Sequence, residues 1–377
     1  MAFVNESLAS ITVENGNTTY DSRDNCNVII ETETNTLIFG CKNSVIPNGV
    51  VTIGEHAFSD CPLTSVTFPK SVTTICGYAF YNCPLKKVTI PSNVTSLDRY
   101  SFANCNSIES VKVNAKEPLT SISRFVSFFN SDGILYVPKG CTELYANANG
   151  WNSRWSAIKE FVNDEVASYT VEEDKGASVI DTSEPMVNEV DIPESITVDD
   201  KAYPVTAIAD YAFGSNTVIK QITIPETIKE IGDAAFSGCC NLNTITSHVA
   251  EPIVLGSAMA TARTRAYNEE STTCTVFDGV DKVICLLYVP VGSVGKYKAA
   301  EGWKDFKYIV EIGSDFIIGN VNGDDVLDEQ DLQALIDHVM GKGHDGLFDE
   351  NMADVNQDGN VNVNDVVFLV KLMGKNK

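Results

Sequence analysis

Apolar residues recur with a period of 22 residues from Ile46 onward. Each unit holds a proline, two aliphatic positions, a phenylalanine, a cysteine, another aliphatic residue and a short run in which apolar and polar residues alternate. An alternating run has the two-residue period of a β-strand with one buried face, so each unit predicts one short strand. Units of this length predict a solenoid, in which every repeat packs on its two neighbours.

Five units follow this template. Their phenylalanines are Phe58, Phe80, Phe102, Phe213 and Phe236, and their prolines are Pro47, Pro69, Pro91, Pro193 and Pro225. The run from Ile46 to Phe68, IPNGVVTIGEHAFSDCPLTSVTF, resembles the BspA-like leucine-rich-repeat family. That resemblance implies an α+β repeat solenoid that binds other molecules. It does not name a ligand, because one fold serves many functions.

A longer duplication ends each group of repeats. The segment from Leu135 to Trp151 returns 152 residues later as Leu287 to Trp303, each with Leu-Tyr-Val-Pro at its start and Gly-Trp at its end. The end of a solenoid exposes a row of apolar positions, so each segment is predicted to be a cap made of a strand and a short helix. Trp151 and Trp303 are then expected in the cores of the two caps.

The cysteines predict buried thiols rather than a disulfide framework. Those of the repeats occupy one template position and are expected to stack as small buried side chains. Residues 1–45 predict a strand at Leu8 to Val13, followed by a hairpin of residues 26–30 and 37–41. A turn centred on Glu33-Thr34 would place Cys26 opposite Cys41, where free thiols are expected because cross-strand disulfides are strained. The repeat cysteines are Cys61, Cys83 and Cys105, and Asn216 replaces cysteine in the fourth unit.

The chain is predicted to contain three domains. Residues 1–163 form the first leucine-rich-repeat array with its hairpin and cap, residues 164–313 form the second array with its cap, and residues 314–377 form a separate C-terminal module. Since solenoid repeats contact only their neighbours, Asn163 to Asp174 is predicted to join two arrays that fold independently.

Two copies of one acidic spacing, starting at Asn320 and at Asp354, dominate the C-terminal module. Each copy provides side-chain oxygens at loop positions 1, 3, 5, 9 and 12 and a backbone carbonyl at position 7, which suits the roughly six to eight oxygen ligands of Ca²⁺. An amphipathic helix is predicted after each loop. The proposed ligands are Asn320, Asn322, Asp324, Val326, Asp328 and Asp331 in loop 1, and Asp354, Asn356, Asp358, Asn360, Asn362 and Asp365 in loop 2.

The two loops differ in their expected affinity. Loop 2 has Gly359 at the sharp turn, whereas loop 1 begins with Asn320 and has Asp325 where glycine is expected. Aspartate adopts the left-handed conformation at some strain, so two ions are expected, with loop 2 binding more tightly. Neither loop has a convincing entering helix, and both close with aspartate. These features resemble a type I dockerin, a module that binds cohesin domains of a partner.

The second helix of the module is apolar on nearly every side, through Val367, Phe368 and Leu372. Such a helix must be covered, either by a partner or by the module and the second array of the same chain. The dockerin resemblance also implies that loop positions 10 and 11 contact a cohesin. These positions are Glu329, Gln330, Val363 and Asn364, which differ from the Ser-Thr pair of many dockerins.

Composition excludes several classes of partner. The net charge is −24, and residues 314–377 alone hold 13 acidic against 4 basic side chains. This acidity argues against nucleic acids and anionic membranes. No apolar run reaches membrane-spanning length, and no signal peptide is visible. Calcium is abundant outside cells, so an extracellular or cell-surface location is expected.

No residue pattern predicts catalysis. The four histidines have no evident nucleophile beside them, and no zinc ligand set is present. Two unmatched inserts are the better candidates for recognition, 121–132 with its three phenylalanines and 253–284 with Arg263 and Arg265, because the concave strand faces lack the stacked aromatic side chains of a glycan platform. Serine and threonine on an exposed strand face are equally compatible with ordinary strand chemistry. The concave columns are Ser65/Thr67, Lys87/Thr89, Ser110/Lys112, Gln221/Thr223 and Thr244/Thr246.

Two functions remain open. The first is a non-catalytic secreted or surface adhesion protein of a gut-type bacterium. Its repeats would recognise a protein or glycan, and its module would dock to a cohesin-like domain or to its own array. The second is an accessory subunit of a cohesin–dockerin complex that degrades polysaccharides.

Overall fold

A computed structural model describes residues 8–119, 133–151, 155–182, 187–255, 276–314, 319–322, 324, 326–343, 348–356 and 360–375 of the protein. In these residues two arrays of stacked strands precede a helical C-terminal segment. The predicted solenoid is confirmed. The α+β class needs correction, because the arrays consist of strands and turns and their α-helices are two six-residue cap helices.

Each repeat of the first array contributes two short strands rather than the single strand predicted. Each kind stacks in register on its counterpart one repeat later, as Thr52 on Thr74 and Ser65 on Lys87, which creates two parallel sheets. The additional strand is only two residues long, too short to show an alternating period. The first sheet holds β1 (Tyr20–Asp21), β2 (Val28–Glu31), β3 (Thr36–Gly40), β4 (Thr52–Ile53), β6 (Thr74–Ile75) and β8 (Ser96–Leu97), and the second begins with β5 (Ser65–Val66), β7 (Lys87–Ile90) and β9 (Ser110–Val113).

The second sheet continues from the first array into the second. Strands β10 (Ile134–Pro138) and β11 (Ala157–Asn163) of the first cap extend it in parallel. Antiparallel pairing of β11 with β12 (Ala167–Glu172) then leads to β13 (Gly176–Thr182). The predicted junction, Asn163 to Asp174, therefore contains a strand that is hydrogen-bonded on both sides, and it is not a bare linker.

The second array adds a separate parallel sheet. Strand β13 pairs with β16 (Lys201–Ile208), which also contacts β15 (Ser195–Val198) and β18 (Glu230–Ile231). The parallel sheet consists of β14 (Glu189–Asp191), β17 (Gln221–Ile224), β19 (Thr244–Ser247), β20 (Leu286–Val289) and β21 (Tyr308–Glu311).

The two caps have the predicted strand and helix. Helix α1 (Thr142–Asn147) follows β10, and α2 (Val294–Ala299) follows β20. Trp151 and Trp303 are fully buried, and each packs edge-on against the tyrosine of its cap helix at about the same distance, 5.2 and 5.3 Å between ring centroids. The prediction that both tryptophans belong to cap cores is confirmed.

The phenylalanines and cysteines of the repeats form two buried ladders. Phe58, Phe80 and Phe102 stack with ring centroids 5.1 and 5.0 Å apart. The thiol of Cys83 donates to the carbonyl oxygen of Phe58 at 3.0 Å, and Cys105 does the same to Phe80. Cysteine thus fills a small buried space and also satisfies a carbonyl of the preceding repeat, as its template position predicts.

One predicted insert contains an unrecognised repeat turn. Val276 and Phe277 are buried, and Phe277 stacks on Phe236 at 5.4 Å, so it continues the phenylalanine ladder of the second array. The backbone N–H of Phe236 donates to Val276, the same bond that Phe58 makes to Ala79 in the first array. Val276, Phe277, Val280 and Ile284 are buried, so this end of the insert packs as part of the array.

The N-terminal predictions need two corrections. Residues 8–13 form no strand. Strands β2 and β3 do form a hairpin, but a bulge between Ile29 and Ile30 shifts the pairing by one residue, so Val28 faces Gly40. Cys26 and Cys41 are consequently out of register with each other, and both are buried free thiols.

Three separate apolar clusters form the interior of the described residues. The first two lie in the two arrays. The third joins the C-terminal segment to the end of the second array, since Ile284 and Tyr308 pack with Val355 and Leu369. The helices of this segment are α3 (Glu329–Val339), α4 (Glu350–Ala353) and α5 (Val363–Lys375).

Candidate binding sites

The predicted concave columns of the first array meet the second array. Thr89 donates to Asp181 on β13 at 2.7 Å, and Ser65 is hydrogen-bonded to Ser215. Lys112 donates to Ser168 on β12 at 2.5 Å. These columns do not lie open to solvent as a free concave face. They form one wall of a cavity of about 280 Å³ at the seam between the arrays.

Two lysines share one carboxylate in this wall. The ammonium nitrogen of Lys87 lies 3.1 Å from Asp181, and that of Lys112 lies 3.3 Å from it. Burial alone would raise the pKa of Asp181, but the two ammonium groups outweigh burial and hold this pKa at about 2. Burial lowers the pKa of Lys87, an effect that Asp181 opposes and Lys112 reinforces. The cluster thus contains two lysines and a single carboxylate.

A second cavity of about 440 Å³ lies at the same seam and is acidic. Its lysines, Lys159 and Lys175, both bind Glu172, which lowers the pKa of this glutamate to about 2. Burial raises the pKa of Asp233, and the carboxylates of Asp210 and of Glu109 raise it further. Tyr211 lines both cavities, so sites of opposite charge lie side by side.

An aromatic column runs along the turns of the first array. His56, Tyr78 and Tyr100 stack at centroid distances of 5.0 and 5.1 Å. All three have a positive φ near 60°, which is unusual for bulky side chains. Stacking offsets part of this strain. These aromatic residues also recur every 22 residues in the sequence. The column was not predicted, because the repeat was recognised from its buried positions.

The two predicted calcium loops close in the same way at position 12. Asp331 is fully buried, and its carboxylate accepts from the backbone N–H groups of Asn322 and Asp328 at 3.2 and 2.9 Å. Asp365 is equally buried and accepts from the corresponding groups of Asn356 and Asn362 at 3.0 and 2.8 Å. Each loop is therefore closed by an aspartate in the first turn of the helix that follows it.

The other predicted ligands line the same loops. Asn320 and Asn356 are buried, and Asp324, Val326 and Asn360 are exposed. Asp328 caps α3 by accepting from Gln330. In the described residues no three His, Cys, Asp or Glu side chains converge as a metal centre, and Asp358, Gly359 and Asp325 lie outside those residues. Burial raises the pKa of Tyr308 in the second array, and the carboxylates of Asp354 and Asp365 raise it further.

The predicted docking face on α5 is partly covered from within. Leu372 is only 6% exposed, and Phe368 packs at the edge of the third cluster. Val367 alone of the three is exposed, as are Glu329, Gln330, Val363 and Asn364 at loop positions 10 and 11. Leu372 belongs to the third apolar cluster, and a contact of Leu372 with a partner stays a prediction. Phe125, Phe128, Phe129, Arg263 and Arg265, named for the two inserts, lie outside the described residues.

None of the helices in the described part of the chain is long and apolar enough to cross a membrane.

Comparisons with known proteins agree with the repeat architecture. A sequence profile described as the BspA type leucine rich repeat region matches in six copies, over residues 29–151 and 187–253. These stretches make up just over half of the chain. No curated protein matches it.

Several solved structures are similar at low sequence identity. A leucine-rich cell surface protein from Faecalibacterium prausnitzii shares 16% identity with a TM-score of 0.25, over 72% of this chain and 59% of that one. A leucine-rich repeat protein from Bacteroides capillosus shares 16% identity with a TM-score of 0.22, over 41% of this chain and 99% of that one. The pneumococcal vaccine antigen PcpA shares 12% identity with a TM-score of 0.20, over 81% and 100%.

The chain thus spans about three fifths of the length of the Faecalibacterium protein. The profile matches coincide with the first array and with the repeats of the second. Within them lie the stacked strands and the phenylalanine and cysteine ladders of the first array, and the stacked Phe213 and Phe236 of the second array. On this evidence the protein belongs to the BspA-type leucine-rich-repeat family.

Proposed function

We propose that the protein is a non-catalytic, extracellular or surface-bound bacterial binding protein whose arrays recognise a protein or a glycan. The seam between the arrays is the observation that carries this proposal. It combines two adjoining cavities with converging hydroxyl, ammonium and carboxylate groups, and such polar groups orient a ligand in a pocket. The family supports the binding role, since BspA-type repeats are typically found on secreted and surface proteins.

A binding screen with matched variants tests the seam. The full chain would be assayed against a panel of host matrix proteins and glycans. Val254 lines the acidic cavity and is 77% exposed, whereas Val291 lines neither cavity and is 76% exposed. Val254→Trp should block a ligand of the acidic cavity, and Val291→Trp should have no effect. Thr67→Trp provides the same test for the cation-rich cavity.

The outcomes of this screen separate the seam from other surfaces. A ligand that binds the wild type and is lost in one cavity variant supports the seam. Undiminished binding by both cavity variants would refute it and would favour the aromatic column at Tyr78 as the next surface to test.

We also propose that residues 314–377 are a dockerin-like module that binds two calcium ions, with loop 2 the tighter site. Two features support this fit. The loops share one closing arrangement at Asp331 and Asp365, and their remaining side chains are the carboxylate and amide oxygens that calcium prefers. A metal that binds only the folded module would stabilise it by mass action.

Calorimetry with and without a chelator tests the calcium proposal. Chelation should remove the melting transition of residues 314–377 and leave the melting transition of the first array unchanged. Asp358→Ala should reduce the calcium effect more than Asn322→Ala, because it removes a charged ligand from the tighter loop. Superimposable melting curves with and without chelator would contradict the proposal.

A second candidate function is an accessory subunit of a cohesin–dockerin complex that degrades polysaccharides. The dockerin-like spacing and the exposure of loop positions 10 and 11 favour it. Capture of a cohesin-bearing scaffold by the full chain would support this role. Val367→Asp should then abolish capture while calcium binding persists, because Val367 is exposed on α5.

A further inference from the structure

The acidic cavity at the seam combines a polar floor with apolar walls. Thr170 on β12 and Ser178 on β13 lie directly opposite each other in an antiparallel pair, so their side chains share one face of the sheet. Ile134, Ile231 and Val254 supply apolar surface around them. With a volume of about 440 Å³ the cavity has room for a small ligand or for a side chain of a larger one.

Thr170 on this floor lacks a hydrogen-bond partner. The residue is only 8% exposed, and its hydroxyl makes no hydrogen bond within the described part of the chain. The hydroxyl of Ser178, which is half-buried, makes none there either. Taking a hydroxyl out of bulk water without a partner is unfavourable. Water or a ligand inside the cavity must therefore complete the hydrogen bonding of Thr170.

Two carboxylates on the facing wall occupy one position of the repeat. Asp210 and Asp233 each lie three residues before the ladder phenylalanine of their repeat, and the backbone N–H of Asp233 donates to the carboxylate of Asp210 at 2.8 Å. Among the described residues the carboxylate of Asp233 accepts no hydrogen bond and forms no ion pair. Burial raises the pKa of Asp233, and the carboxylates of Asp210 and Glu109 raise it further. A cation at this wall would relieve that repulsion.

The lysines around the cavity are already engaged. Lys159 and Lys175 both bind Glu172, and Lys86 binds Glu109 at 3.3 Å. Five carboxylates and two lysines line the cavity in all. A ligand that complements it must therefore bring positive charge and hydrogen-bond donors.

The arrangement of these acidic groups suits an extended cation. In the residues that the structure describes, no three His, Cys, Asp or Glu side chains converge closely enough to share one metal ion. A guanidinium group spreads its charge over a plane and carries five N–H donors and no acceptor. The aliphatic stem of an arginine would also find apolar walls to pack against.

We propose that the acidic cavity binds an arginine side chain of a protein partner. Its guanidinium group would donate to the carboxylate of Asp233 and to the hydroxyl of Thr170, and its stem would lie on the apolar wall that ends at Val254. This inference rests on the proposed binding role of the seam. It names a protein with an exposed arginine as the class of ligand for this cavity.

Titration calorimetry of the full chain with two short peptides tests the charge requirement. One peptide is acetyl-Gly-Arg-Gly-amide. The other carries citrulline, whose urea group has the shape of guanidinium without its charge. The arginine peptide should bind, and the citrulline peptide should bind at least about tenfold more weakly, because it loses a charge-assisted hydrogen bond. Glucosamine is the third probe, since an amino sugar would bring a cation without a protein.

Three variants locate the site. Asp233→Asn should weaken the arginine peptide about tenfold without changing the melting temperature, because the carboxylate forms no contact that folding needs. Thr170→Val keeps the shape and removes the hydroxyl, so it should weaken the peptide about fivefold. Asp278→Asn is the matched control. Asp278 is exposed and lines the other cavity, so this variant removes the same charge from the seam and should leave binding unchanged.

The outcomes distinguish this inference from the proposed function. No binding of the arginine peptide, equal binding of both peptides, or equal losses in Asp233→Asn and Asp278→Asn would each overturn it. Binding of glucosamine in place of the arginine peptide would overturn the assignment to a protein. In all these cases the seam stands if a ligand of the screen is lost in Val254→Trp, and undiminished binding by the cavity variants refutes the seam itself.

Discussion

Replacing Asp181 with asparagine should weaken the seam between the arrays more than replacing either lysine that binds it. Asp181 is the single carboxylate between Lys87 and Lys112, and its side chain is 15% exposed. Removing it leaves two ammonium groups facing each other in a poorly hydrated site. Removing Lys87 instead leaves one balanced pair of Lys112 and Asp181. Loss of one partner from a buried ion pair typically costs about 3–5 kcal/mol.

The pKa of Asp181 gives an independent magnitude. It falls from an ordinary 3.8 to about 2, which at about 1.4 kcal/mol per pKa unit corresponds to about 2.5 kcal/mol of stability at neutral pH. Because the pKa in the folded state is depressed, this contribution is fully present above pH 3.8. It is lost as the pH falls through 3.8 toward 2, so the difference between wild type and Asp181→Asn should shrink over that range.

Native-state hydrogen exchange on the full chain measures the effect at the seam. Asp181→Asn should speed exchange in β9 and β13, which carry Lys112 and Asp181. Lys87→Met should have a smaller effect, since burial already disfavours the charge of this lysine. Glu301→Gln, which breaks the exposed pair with Lys304, should leave the seam unchanged. A larger effect of Lys87→Met than of Asp181→Asn would contradict this prediction. So would a difference between wild type and Asp181→Asn that does not depend on pH.

Three further outcomes are expected. Fragments 1–163 and 164–313 should each be folded when examined by circular dichroism, because each keeps its own apolar cluster. Both should melt at a lower temperature than the full chain. An unfolded fragment would mean that the arrays share a core. Brief thiol labelling at pH 8, followed by mass spectrometry, should find Cys240 modified well before Cys105. Cys240 is exposed, whereas burial raises the pKa of Cys105 to about 12. Equal labelling of the two cysteines would contradict this prediction. Phe80→Ala should cost about 3–5 kcal/mol in denaturant unfolding, because it opens the middle of a stacked ladder, and a cost below about 1 kcal/mol would show that the ladder contributes little.

Sequence periodicity predicted the interior of the arrays well. Phe58, Cys83 and the two cap tryptophans are buried as their repeated positions required. Periodicity did not predict the buried residues of a unit that departs from the template. Phe277 continues the second ladder, yet its turn carries too few template residues to be recognised as a repeat.

Local irregularities of strand pairing were also not predicted from the sequence. A single bulge after Ile29 separates Cys26 from Cys41, although an unbroken hairpin would have paired them. A bulge inserts one residue into the pairing, and a hydrophobic pattern of a few residues does not reveal where it occurs.

The candidate sites were also predicted only in part from the sequence. The acidic spacing of the two C-terminal loops and the columns on the repeat strands were evident from the sequence. The sequence did not show that the columns of the first array are covered by the second array, where Lys112 binds Asp181. The sequence also did not show the packing of Tyr308 against the C-terminal segment, or the burial of Leu372 on a helix that could equally have been open.

The sequence by itself determined which residues stack from one repeat to the next, because those contacts recur every repeat and leave a period that can be read. Only the tertiary structure decided how the first array meets the second and how the C-terminal segment meets the second cap. Each of those contacts occurs once, between residues far apart in the chain, and depends on the direction in which whole arrays pack. A contact that is made only once produces no period, so the seam between the arrays and the packing of Tyr308 against the C-terminal segment could be found only in the folded chain.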